Sequence, residues 1–270
     1  IHNLPVISVL APLLLTLVLS FNVFDYQVGV KADEWTFAHY LSLFSDSYFY
    51  EIFWRTFWIS ALVTLLCVVI GVPEAYILSR MGTPWRSIFL ILILTPLLIS
   101  VVVRAFGWSL LLGSDGLINQ GISALGGQPV KLLYTPFAVI IGLVHVMLPF
   151  MIIPVWTSLQ KLDPAAEQAA LSLGASQATV FTRITLPMIL PGVTGGWMLA
   201  FINSFDEVTM SIFVTSPSTV TLPVRMYMYA TESIDPLMAA VSALMVALTA
   251  CAMVILDRVY GLDRVLVGRK

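Results

Sequence analysis

From Pro5 to Phe24 the chain runs for twenty residues without a charge, and stretches of the same kind recur to its end. A hydrocarbon core about 30 Å thick takes about 20 residues of helix to cross, so each such run reads first as a membrane span. Five more predominantly apolar runs follow at 56–79, 87–103, 133–158, 188–215 and 236–256, two of them carrying acids, Glu74 in the first and Asp206 and Glu207 in the fourth. With 59% hydrophobic and only 10% charged residues, the chain lacks the charge that the surface of a water-soluble globule needs. The expected fold is all-α, one membrane domain over residues 1–270 with six transmembrane helices and the lipid bilayer as its surroundings.

The net charge of −2 offers no basic field for nucleic acid. Cys67 and Cys251 both fall inside apolar runs and have no disulfide or zinc spacing, so they read as small hydrophobes. The chain opens at Ile1 without methionine and without a tripartite cleavable signal, and further cytoplasmic residues are expected before it. Six spans put both termini on one side. The turn at Arg80, the segment after the fourth span and the C-terminal tail hold eight of the thirteen lysines and arginines, which assigns that side to the cytoplasm.

One segment between the apolar runs is polar and sharply punctuated: 163–187, DPAAEQAALSLGASQATVFTRITLP. Asp163 followed by Pro164 is a helix start, since the carboxylate accepts from orphan backbone donors and proline is already at a helical φ. Gly174 is a stop, about ten residues on. Ala166, Ala169, Ala170 and Leu173 form a small apolar face that a partner could approach closely. Ser176 is placed to cap a second helix carrying Val180, Phe181 and Ile184, which ends near Pro187 where the next span begins.

The spacing of Ala169, Ala170, Gly174, Ile184, Leu186 and Pro187 resembles the "EAA" loop of binding-protein-dependent ABC-importer permeases, a cytoplasmic helix pair that seats in a groove of the ATPase. Aligned on Gly174, the family's usual glutamate falls on Gln168, with Glu167 one place earlier. The resemblance implies a type I ABC importer permease fold with a coupling helix pair between spans four and five. It makes Asp163, Glu167, Gln168, Ala169, Ala170, Gly174, Phe181, Ile184, Leu186 and Pro187 the residues that couple to the ATPase. A second pattern, Ser204, Asp206, Glu207, Phe213, Val214, Thr215, Pro217, Leu222 and Pro223, is similar to the polyamine (spermidine/putrescine) branch. Together these imply an inner-membrane subunit working with ABC ATPases, a second homologous permease and a periplasmic solute-binding protein, by alternating access.

The chain has no phosphate-cradling glycine loop, and no glycine precedes a lysine, so it is not its own ATPase. No cofactor is expected in this chain, ATP and Mg belonging to the partner ATPase, and no zinc-protease or nucleophile-elbow motif suggests an enzyme. What remains are ionisable groups in or beside the spans, costly there unless paired or wet. Asp206 and Glu207, with Asn203, read either as an acidic lining that attracts an ammonium group or as partners of Arg104. Glu74, preceding Arg80 by about 9 Å of helix, reads as a structural hydrogen bonder or a substrate contact, His145 as a satisfied core histidine or a gate, and Trp108, Trp197 and Phe205 as packing or interface anchors. The alternative to an ABC permease is a proton-coupled secondary transporter using Glu74, His145 or Asp206 as its relay.

Overall fold

A bilayer offers the backbone no hydrogen-bond partner, so an apolar run satisfies its own amides by coiling. The computed structural model, which describes residues 4–25, 29–232 and 236–260, is accordingly built from helices, with a single two-stranded hairpin among the described residues. In order these are α1 (Leu4–Leu19), β1 (Asn22–Asp25), β2 (Gly29–Trp35), α2 (Ala38–Ser45), α3 (Ser47–Arg80), α4 (Trp85–Leu98), α5 (Val101–Leu112), α6 (Leu117–Ala124), α7 (Pro136–Gln160) and α8 (Ala165–Ser172). Next come α9 (Gln177–Val180), a π-helical turn (Phe181–Thr185), α10 (Leu186–Phe205), α11 (Ser211–Val214), α12 (Leu222–Glu232) and α13 (Pro236–Tyr260). Four stretches among the described residues are long and apolar enough to cross a membrane: Ser47–Arg80, Val101–Ala124, Pro136–Gln160 and Gln177–Phe205. Trp85–Leu98 and Leu237–Cys251 are shorter apolar helices.

Contacts divide the chain into two units, Ile1–Thr56 with Val220–Val259, and Phe57–Thr219 with Tyr260–Lys270. In the first, β1 and β2 pair antiparallel with Phe24 opposite Val30, and Phe21 sets its ring 5.4 Å from Phe37 and 5.1 Å from Tyr40. The first apolar run therefore stops being helix at Leu19, five residues short of the sequence expectation. Ser20 turns its hydroxyl to the Leu17 carbonyl and to Tyr40, and the apolar residues after it enter a strand. Elsewhere in this unit Thr56 accepts from the Leu222 amide at 2.8 Å, and the Arg225 guanidinium stacks over Tyr229 at 4.6 Å.

The second unit is organised on α7. Val139, Leu143, Met147, Met151 and Val155 follow one another at four-residue steps and are all essentially buried. Thr135 caps its start ahead of Pro136, and Pro149 and Pro154 stay within the helix. α10 packs against it through glycines: a Cβ at Gly192 would lie 2.8 Å from the Pro154 carbonyl and one at Gly196 3.0 Å from that of Met151, so no larger residue allows this approach.

Two runs expected as unbroken spans are interrupted here. The third stops at Leu98, because Ile99 and Ser100 are extended (ψ 141° and 134°), and the chain restarts as α5. A helix end leaves carbonyls without partners, and Arg104 donates to the one on Pro96. The sequence after Arg104 reads as a short apolar stub, 105–113, and a glycine-rich loop; the structure makes it part of a long apolar stretch, Val101–Ala124. The fifth run is helix only to Phe205; Asp206 is its C-cap and the chain turns before α11.

Candidate functional site

The segment after α7 folds from its own capping residues. Asp163 accepts from the Ala165 amide at 2.9 Å and starts α8, which is eight residues long. It closes when Gly174 takes φ +86°, where the Gly174 amide reaches the Leu171 carbonyl and the Ala175 amide that of Ala170. Ser176 then accepts from the Thr179 amide and opens α9. The second helix does not end near Pro187. It passes through the π-turn, where the Leu186 amide reaches back to Phe181, and Pro187, having no amide to satisfy, sits in the first turn of α10. The segment is thus rigidly continuous with a membrane stretch, Gln177–Phe205.

Glu167 is the acid that matters structurally in this segment. It is buried, pairs with Arg80 at the end of α3, and accepts from the Thr185 hydroxyl at 2.6 Å, in the π-turn. Burial pushes the Glu167 carboxyl up, yet the Thr185 hydroxyl and the Arg80 guanidinium outweigh it, and its pKa lies below the ordinary glutamate value. Arg80 lies 5.1 Å over the Tyr76 ring, which in turn meets Phe181 edge-on at 4.9 Å. α8 is therefore fastened to the ends of two membrane helices. Gln168, on the position the resemblance emphasised, is exposed, as is Ala169, and Ala170 and Ile184 are half-buried. Leu173, 89% exposed, leads an uncovered apolar edge. Phe181 faces inward on Tyr76 rather than outward. Nothing in the residue pattern marked Thr185 or Tyr76, and Arg80 stood out only as a basic turn.

A second site lies where α5, α7 and the end of α10 meet. Arg104, Asn203, Asp206 and Glu207 line one cavity of about 500 Å³, with Pro96 and Phe150 among its apolar walls. The two acids differ. Glu207 accepts from the hydroxyls of Thr209 and Ser211 and the amides of Met210 and Ser211 at 2.6–3.0 Å, so its carboxylate caps α11. Asp206 is exposed to the cavity. No ion pair within 4.0 Å joins Arg104 to either acid among the described residues; its guanidinium serves the Pro96 carbonyl and its Nε has no partner. Asn203 bonds back to the Leu199 carbonyl at 2.7 Å. Glu74 is not with this group. It lines a separate cavity of about 370 Å³ with His145, whose Nδ1 accepts from Trp108 Nε1 at 3.2 Å.

Helices long enough to cross a bilayer, a capped helix pair fastened to two of them and a charged cavity between them describe a membrane transport component. The chain belongs to the family of binding-protein-dependent transport system inner membrane components, whose model matches residues 3–262. It is the permease component of an ABC importer, not an enzyme. It is 34% identical over 196 residues to the spermidine/putrescine transport system permease protein PotB of Haemophilus influenzae, covering 72% of this chain and 68% of that protein. Its fold is that of a chain in a bacterial ABC transporter that imports the acidic polysaccharide alginate (TM-score 0.78, 20% identity, 98% of this chain and 94% of that one). A further structure is the alginate transporter in complex with its alginate pentasaccharide-bound periplasmic protein (TM-score 0.68, 18% identity, 97% and 96%).

Proposed function

We propose that this permease passes an amine-bearing solute, of the polyamine class, from a periplasmic binding protein to the cytoplasm. It spans the bilayer six times as a single domain over residues 1–270, with both termini and the segment 163–187 cytoplasmic. There α8 seats in an ABC ATPase, and a second permease completes the path. ATP and Mg act on the ATPase subunit. Closure of the ATPases pushes α8, the spans turn the path outward to receive solute, and hydrolysis resets them.

The observation that carries the coupling role is the Arg80, Glu167 and Thr185 contact on a segment whose Leu173 is uncovered. A force on the exposed edge of α8 reaches α3 through an ion pair and α10 through a hydrogen bond and a continuous helix. The substrate class is supported by the likeness to PotB and by Asp206, which presents a carboxylate to the cavity while Glu207 is occupied by α11. The test is uptake of labelled spermidine by proteoliposomes holding the permease with its ATPase and binding protein. ATP-dependent uptake is expected; uptake driven by a pH gradient without ATP would support a secondary transporter instead.

A further inference from the structure

α3, α4 and α7 line two cavities whose wall residues follow within a turn of each other on two of these helices, Leu78 and Ser79 on α3 and Arg86 and Phe89 on α4. The polar one, about 240 Å³, is lined by Arg80, Arg86, Ser79 and Gln160, together with Glu167. Arg80 and Gln160 are the last residues of two membrane-crossing stretches, so this cavity lies at the level where the chain leaves the hydrocarbon. The second, about 370 Å³, reaches from Met81 along the same helices, walled by Leu78, Phe89, Ile93 and Ile152, with Glu74 and His145 farther along its lining. On α4 the register is continuous: Arg86, Phe89, Ile93 and Pro96 share one face. Ten residues of helix from Arg86 to Pro96 give about 15 Å, half of an about 30 Å hydrocarbon core.

The charges fit one kind of occupant. In the polar cavity Glu167 cancels Arg80, while Arg86 has no ion-pair partner among the described residues, which leaves one net positive charge there; the only other ionisable groups on the walls, Glu74 and His145, lie at the far end of the apolar cavity. Trp85, 63% exposed beside it, is of the type that sits at headgroup level. We propose that this paired cavity holds one anionic glycerophospholipid, its phosphodiester on Arg86 and one acyl chain in the groove between α3, α4 and α7. A zwitterionic lipid brings its own cation and gains less from Arg86, and free phosphate leaves the groove unfilled.

The test is native mass spectrometry on the intact transporter, with its copurifying subunits, titrated with dioleoyl phosphatidylglycerol, dioleoyl phosphatidylcholine or inorganic phosphate. Phosphatidylglycerol is expected to bind about fivefold tighter than phosphatidylcholine, the worth of one cation near an anionic headgroup. Arg86→Gln should erase that preference and Arg86→Lys restore most of it. Ile93→Trp, which fills the groove, should weaken both lipids. Equal affinity for the two lipids, or a preference unchanged in Arg86→Gln, overturns the proposal. Displacement of phosphatidylglycerol by inorganic phosphate, with Ile93→Trp silent, makes this a site for a free anion and overturns it too. Lipid binding seen only after the partner subunits are stripped away assigns Arg86 to a protein interface, with the same consequence.

Discussion

Arg80 and Glu167 stand 87 residues apart in sequence and form an ion pair that fastens the short helix α8 to the end of α3. Because Glu167 also accepts from Thr185, one carboxylate joins three elements. The Arg80 side chain is 49% exposed, so the pair alone contributes modestly to global stability, about 1 kcal/mol. Its weight is in holding geometry.

Glu167→Gln keeps an acceptor for Thr185 but removes the ion pair. Insertion and expression should be near normal, the melting point should fall by a few degrees at most, and stimulation of the ATPase by loaded binding protein should drop severalfold. A double-mutant cycle with Arg80→Gln should show coupling between the two positions. Additive effects would mean that the pair transmits nothing.

The pH dependence follows from the sign of the shift. The Glu167 carboxyl is held below the ordinary glutamate value, so its contribution is complete above that value and is lost only as pH falls through the lower folded one. The stability difference between wild type and Glu167→Gln should be constant from about pH 8 to about pH 5 and shrink only below about pH 4. Thermal melts across that range measure it.

Gly174 and Gly192 predict contrasting outcomes. Gly174 has φ +86° and open space around it, so Gly174→Ala strains only the backbone, by about 1 kcal/mol, and loosens the end of α8 while the spans stay folded. Gly192→Ala puts a methyl against the Pro154 carbonyl and should cost about 1–3 kcal/mol in the α7 and α10 packing. Gly107→Ala, inside α5 with nothing near it, is the control without a clash and should raise stability by up to about 1 kcal/mol. Denaturation of the purified variants gives the order.

The two neighbouring acids should separate. Asp206→Asn leaves the fold intact and lowers uptake of a cationic solute, because a carboxylate near the path attracts the cation and replaces part of its hydration. Glu207→Gln weakens the bonds to the Met210 and Ser211 amides and should destabilise the turn before α11 whatever the solute's charge. Uptake normalised to folded protein, compared for a cationic and a neutral solute, distinguishes the two.

What the sequence revealed and what it hid follow from the physics of each element. Apolar length marked three of the four membrane-length stretches among the described residues and missed Val101–Ala124, and Asp163, Gly174 and Ser176 announced their caps because capping depends on local residue type. Apolar length could not show where a run changes conformation: the residues after Ser20 are as apolar in a strand as in a helix, and the break at Ile99 and Ser100 carries no composition signal. In the coupling segment, spacing from Gly174 pointed to Gln168, whereas the buried acid is Glu167, since burial is set by Arg80 and Thr185, far away in sequence. A partnership with Arg104 is one of two readings of the acids in the sequence; in the structure Arg104 donates to the carbonyl left open at Pro96, a role that exists only because the helix ends there.

The central claim is that the exposed edge of α8 takes the push of an ATPase and hands it to the spans. Leu173 tests it with least disturbance, since at 89% exposure it supports nothing inside the permease. In proteoliposomes with ATPase and binding protein, Leu173→Asp should insert and melt like wild type, yet lose most ATP-dependent uptake and most stimulation of ATP hydrolysis. Wild-type uptake and stimulation in that variant would contradict the account.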